Sequence, residues 1–136
     1  MNPLRPKVLI VDYQEDTLIA FERLLEDEGF DTTTVWTGLE ALKAFHDQKF
    51  DLVLMAEYLP DMNAEEFMRE LRRADGDVPC VVMQPGGEQN TDTHRLRSAG
   101  AVGVVCKWSQ TEVLKAVYAH QCRQHRRNLL GQRPSG

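Results

Sequence analysis

Two kinds of apolar pattern alternate along this chain. Val8–Val11, Leu52–Met55, Cys80–Met83 and Val102–Cys106 are short continuous runs, the mark of strands buried on both faces. A fifth run, Thr32–Val35, has the same length and β-branched character. Between the runs the apolar positions recur every three or four residues, as on one face of a helix. Leu18, Phe21, Leu24 and Leu25 define the first such face, with Asp16 or Thr17 as expected cap and Gly29 as stop. Leu42 and Phe45 point inward from the second, and Ala64, Phe67, Met68 and Leu71 form the third. Pro85-Gly86-Gly87 leads to a polar helix expected from about Gln89 to Ala99. A last helix, with Ser109 as N-cap, carries Val113, Leu114, Val117, Tyr118 and Cys122. After Arg127 the pattern dissolves. Residues 1–127 are therefore expected to form one domain, and 128–136 a flexible C-terminal tail or the start of a linker.

Regular alternation of strand and helix predicts an α/β fold, a doubly wound parallel sheet covered on both sides. In such sheets ligands bind at the C-terminal ends of the strands, near the point where the strand order reverses. Asp12, Tyr13, Ala56, Gln84 and Lys107 fall at those ends.

Composition narrows the class. A chain of 136 residues with 42% hydrophobic and 27% charged residues suits one globular domain. The net charge of -5 is uneven: from His120 onward there are Arg123, Arg126, Arg127 and Arg133 and no acid, so the preceding part carries -9. That acidic body argues against nucleic-acid binding by the domain itself. The arginines are expected on a solvated helix end and tail, where they also suit the helix dipole. Three cysteines without framework spacing read as free thiols in a reducing compartment. The N-terminal apolar run is too short for a signal peptide, and no segment has the length of a membrane helix. A cytoplasmic protein is expected.

VLIVD with Asp12, DLVLM followed by Pro60, AGAVG, and Lys107 just after the fifth strand together resemble the receiver domains of bacterial two-component response regulators, from Lys7 to about Tyr118. The resemblance implies a flavodoxin-like (βα)5 sheet of order 2-1-3-4-5. It also implies a phosphoacceptor aspartate at the end of the third strand, four residues before a proline. Pro60 fixes that register and puts Ala56 at the acceptor position. A methyl group has no oxygen with which to form an acyl phosphate. The site is thus expected to be a degenerate, pseudo-receiver one.

The other family positions depart as well. Of the paired acids that hold a divalent cation in the family, Asp12 is kept but its neighbour is Tyr13. Magnesium needs well-placed carboxylates, so Asp12 is a weak metal candidate and no cofactor is expected. Lys107, deprived of an acceptor aspartate, is expected to pair with Asp12, Glu57 or solvent. Gln84 takes the place of the family's hydroxyl residue and is expected to fill the pocket with its amide; Pro85 stands where a small residue is usual. Val104 replaces the aromatic that rotates in the family's switch. Trp108 replaces the proline after the lysine, so a trans bond is expected there. It serves either as a plug in the old phosphate site or as a partner anchor. Strand alternation should aim Glu57 away from Ala56, which disfavours it as a substitute acceptor, and Asp61 reads as a solvated turn residue. So many departures point to natural divergence and not to a single engineered Asp→Ala change. Elsewhere, His120, Cys122 and His125 lack the helical offsets to hold a metal together, and Gly86-Gly87 lacks P-loop spacing.

The resulting expectation is a non-enzymatic signalling domain in a two-component or phosphorelay pathway that acts by protein–protein contact without aspartyl phosphorylation. Its partner would be a histidine kinase, an output domain, another signalling protein or a second copy. The surface would be that of the fourth helix, fifth strand and fifth helix, with Leu96, Val104, Val113 and Tyr118 or their neighbours. Two alternatives stand beside it. One is a small-molecule sensor walled by Tyr13, Gln84, Lys107 and Trp108; the other is the receiver portion of a longer response regulator.

Overall fold

The computed structural model describes residues 5–74, 77–85 and 93–131, with side chains placed as far as residue 120. In chain order the elements are β1 (Lys7–Val11), α1 (Glu15–Asp27), β2 (Asp31–Val35), α2 (Gly38–Asp47), β3 (Leu52–Ala56), α3 (Ala64–Arg73), β4 (Cys80–Gln84), α4 (Thr93–Ala99), β5 (Gly103–Cys106) and α5 (Gln110–Gly131). Every strand pair is parallel and the order is β2-β1-β3-β4-β5, the flavodoxin-like arrangement that the sequence implied. The order reverses between β1 and β3. Val11 lies opposite Met55 there, so the residues that follow the two strands emerge side by side.

Strand alternation divides the core into two layers. Leu9, Val11, Val53, Met55 and Val82 pack with Ala41, Phe67, Met68, Leu71 and Leu96. Val8, Ile10, Leu52, Leu54, Val81 and Met83 pack with Leu18, Phe21, Leu25, Val113 and Val117 from α1 and α5. Each large apolar side chain so buried contributes about 1.5–3 kcal/mol. β3 and β4 are buried throughout, which is why they read as unbroken apolar runs. β2 lies at the sheet edge and is only half-buried, which accounts for its threonines.

Local signals set the helix ends. Asn63 accepts from the Glu66 amide while the Glu66 carboxylate reaches back to the Asn63 amide, a capping box that starts α3. Ser109 Oγ accepts from the Glu112 amide and caps α5 as expected. Gly100 has φ 123° before β5, and a Cβ there would collide with the Arg72 guanidinium.

The structure departs from expectation in three places. Neither Asp16 nor Thr17 caps α1; the helix starts at Glu15, and Gln14 holds the cap position with no side-chain cap bond of its own. α5 continues to Gly131, past the point where the apolar pattern ends. The described part of α4 spans Thr93–Ala99, inside the expected helix, and the Gln89–Asp92 part lies outside the described residues. Leu96, Val104 and Val113 are core residues and not surface ones, because each lies on the side of its element that faces sheet or helix. Of the expected contact residues only Tyr118 is exposed, with its ring 5.4 Å from that of Phe30. Among the described residues no helix is long and apolar enough to cross a membrane.

Candidate functional site at the strand ends

Ala56 closes β3 with its side chain buried in the apolar layer. Next to it, at the end of β1, Asp12 is fully buried. Its Oδ1 accepts from the Gln14 amide at 2.9 Å, a side-chain turn that sets the start of α1 in place of the missing cap. Its Oδ2 lies 2.9 Å from Lys107 Nζ. The approach falls off the hydrogen-bonding directions, so the attraction is that of an ion pair. Lys107 follows β5 and is held to β4 through its amide, which donates to the Gln84 carbonyl at 2.8 Å. Its ammonium also donates to Gln14 Oε1 at 2.5 Å and lies 5.6 Å from the ring centroids of both Tyr13 and Trp108. The lysine is therefore enclosed by a carboxylate, an amide oxygen and two aromatic rings. Its charge is consumed inside the fold.

Gln84 is buried at the end of β4, and its Nε2 donates to Glu57 Oε1 at 2.8 Å. Its Oε1 has no hydrogen-bond partner among the described residues. Glu57 is itself buried, and Oε2 takes a 2.6 Å contact from Arg95 Nη2 of α4. Arg95 also pairs through Nη1 with Glu65 at the start of α3. A polar chain thus runs from β4 through the residue after β3 to α4 and α3. Gln84 fills its space with its own amide, and Glu57 turns to that amide, not to Lys107.

Trp108 does not plug the site: it is 67% exposed. Its peptide bond is trans, as there is no cis peptide among the described residues. Tyr13 is likewise exposed, so neither ring walls an enclosed pocket with Gln84 and Lys107. Asp61 is not a free turn residue. Its two carboxylate oxygens accept from the Gly38 and Leu39 amides at 2.9 Å each. Thr37 supplies the side-chain cap to Glu40, and its carbonyl takes the Ala41 amide. The Gly38, Leu39 and Glu40 amides, which have no helical partner, are thus satisfied, and the Ala41 amide makes the first regular helical bond. Burial alone would raise the Asp61 pKa, but the Gly38 and Leu39 amides and its own outweigh it and hold the carboxyl below its ordinary value. Sequence reasoning missed Gln14, Arg95 and the capping role of Asp61. All three act through partners distant along the chain, which no local pattern announces. Of the His120, Cys122 and His125 trio, the last two side chains lie outside the described residues.

A doubly wound five-stranded sheet with a buried acid after β1 and a lysine after β5 defines a receiver-type signalling domain. The pattern of the response regulator receiver domain family matches residues 8–119, and the chain belongs to that family. The DNA-binding response regulator MtrA of Mycobacterium tuberculosis is 37% identical over 83 residues, 61% of this chain and 36% of MtrA. The transcriptional regulatory protein PrrA of Mycobacterium bovis is 33% identical over 78 residues, 57% of this chain and 34% of PrrA. The matched segment spans about a third of the length of these relatives. In fold, the chain is similar to the signal receiver domain of a Luxo repressor protein from Vibrio parahaemolyticus (TM-score 0.84, 24% identity, 95% of this chain and 99% of that one). It is also similar to the chemotaxis response regulator CheY4 of Vibrio cholerae (TM-score 0.76, 24% identity, 85% and 98%).

The family implies a divalent cation at this place, and the donors present do not fit one. Asp12 is the buried carboxylate that follows β1; Tyr13 and Ala56 supply none, Glu57 after β3 is engaged by Gln84 and Arg95, and an ammonium already sits on Asp12. A hard cation would have to displace that ammonium and still lack acidic ligands. Among the described residues no group of three metal-ligating side chains is gathered anywhere.

Proposed function

We propose that this chain is a receiver domain that signals by protein contact and without aspartyl phosphorylation. One observation carries the reading: the position at the end of β3 is Ala56, and the lysine across from it is already neutralised by Asp12 and bonded to Gln14. A phosphoryl donor would meet neither a nucleophile nor a free cation. The polar chain from Gln84 to Arg95 supports the same reading, because it fixes α4 by groups that belong to the protein. The domain works as a signalling module and not as an enzyme, in the cytoplasm, within a two-component or phosphorelay pathway. Its partner is a histidine kinase, an output domain, another signalling protein or a second copy. The mycobacterial relatives, named as DNA-binding and transcriptional regulators, make an output domain one natural partner. We place the functional unit at residues 1–127, with 128–136 as a C-terminal tail or the start of a linker, into which α5 runs as far as Gly131.

The test is the amide NMR spectrum with and without magnesium plus beryllofluoride, which mimics an aspartyl phosphate. The resonances of Asp12, Ala56 and Lys107 are expected to stay in place. Saturable shifts that spread to Val104 and α4 would overturn the proposal.

A further inference from the structure

Seven large apolar side chains are exposed among the described residues, and five of them lie at one edge of the sheet. Tyr13 follows β1, Trp36 follows β2, Leu39 opens α2, Tyr58 follows β3 and Trp108 follows β5. In a parallel sheet those connections all emerge at the C-terminal ends of the strands. They are also tied to one another. Asp61 bonds the β3–α3 loop to the amides of Gly38 and Leu39, the Met62 side chain packs against Gly38, and Lys107 lies near both the Tyr13 and Trp108 rings. Exposed aromatics gathered in this way cost solvation and contribute nothing to the core, and Trp and Tyr are enriched where proteins meet.

Charge says what meets them. The same loops and first helical turns expose Glu15, Asp16, Glu40, Asp61, Glu66 and Glu112, and among their described residues no base is exposed; at the α4 corner of the edge His94 is exposed and Arg95 is engaged by Glu57 and Glu65. The dipole of each helix accounts for acids at these positions. It does not account for aromatic rings among them. Carboxylates interleaved with open indole and phenol faces form a surface for cations, which ring quadrupole and carboxylate attract together. The edge already holds one cation in this manner, Lys107, between Asp12 and the two rings.

We infer that this edge, and not the α4–β5–α5 face, docks a basic polypeptide segment that presents arginine or lysine together with apolar side chains. The inference extends the proposed function by naming a surface and a partner chemistry, and it rests on the edge being free of phosphoryl transfer. Both tryptophans of the chain, Trp36 and Trp108, belong to the patch, so intrinsic fluorescence reads it directly.

The experiment titrates the full chain with a short synthetic peptide alternating arginine and leucine, and with its glutamate–leucine counterpart. The basic peptide should change the tryptophan emission saturably and the acidic one should not. Trp108→Ala, read through Trp36, should weaken binding by roughly tenfold or more. Tyr58→Ser should weaken it in the same direction, and Tyr118→Ala, which removes an exposed ring beside Phe30 at the opposite end of the strands, should leave it unchanged. Thermal melts of each variant confirm that the fold is kept. No saturable change, equal binding of the acidic peptide, or full affinity in both aromatic variants would overturn the inference. So would sedimentation showing that a second copy occupies the edge and excludes the peptide. A beryllofluoride response would defeat the phosphorylation-free reading, and peptide binding at this edge would then be judged on its own titration.

Discussion

Replacing Lys107 by methionine tests whether the lysine has become a structural ion. The side chains of Lys107 and Asp12 are 8% and 0% exposed, and their charged atoms are 2.9 Å apart. At an effective dielectric near 20, unit charges at that separation attract by about 6 kcal/mol before desolvation is subtracted. Methionine keeps the volume and removes the charge. Asp12 then stays buried with the Gln14 amide as its hydrogen-bond donor, and Gln14 Oε1 loses its ammonium. Breaking one side of such a pair costs about 3–5 kcal/mol, whereas removing both charges together is often near neutral. Lys107→Met should therefore lower the urea midpoint by roughly 2 M at an unchanged slope of about 2 kcal/mol per molar. The double variant with Asp12→Asn, which retains an acceptor for the Gln14 amide, should recover most of that loss. Far-UV circular dichroism follows the transition, and the double-mutant cycle isolates the coupling. A loss below about 1 kcal/mol in Lys107→Met, or a double variant no better than the single, would show that the ammonium is solvated and uncommitted.

Two further outcomes follow from the fold. Asp61→Asn should cost about 0.5–1 kcal/mol at neutral pH, because it weakens the acceptors at the start of α2. The folded carboxyl lies below its reference value of 3.8, so its contribution is present above that value and fades as pH falls through the folded one; urea midpoints of the two proteins should converge below about pH 4. A constant gap down to pH 2 would refute the assignment. Burial raises the Cys80 thiol to about 12, with Arg72 opposing weakly, so iodoacetamide should modify Cys80 only after unfolding. Mass spectrometry showing its modification in the native protein as fast as that of half-exposed Cys106 would refute that burial.

The sheet was legible because its signal is repeated and local. β3 and β4 are apolar without interruption since both faces are covered, and Phe67, Met68 and Leu71 keep helical spacing since one face of α3 meets the core. Pro60 located Ala56 through a family pattern, without help from periodicity. The contacts of the site were less legible. Asp12 ending next to Lys107 depends on strand order, which sets β3 and β4 between β1 and β5. The Glu57–Arg95 pair joins residues 38 positions apart, and nothing near either one predicts the other. Leu96, Val104 and Val113 were misassigned to the surface because a family contact face was transferred as residue numbers, while the apolar character of those residues already argued for the interior.

The departures from the family pattern form a coherent set once they are placed in space. A two-state switch needs an input that changes local charge and an element with two packings of similar energy. At the input end, Ala56 leaves no group to modify and Asp12 has taken the lysine's charge. At the response end, Val104 is buried against the apolar layer with no ring to swing. Between them, Glu57 bridges Gln84 and Arg95, so moving α4 would strand a buried carboxylate, a cost of several kcal/mol by the same reasoning as for Lys107. An effector would need at least that much differential affinity to shift the helix. On the proposed reading the domain has exchanged a conditional surface for a permanent one, and its regulation lies in which partner is present.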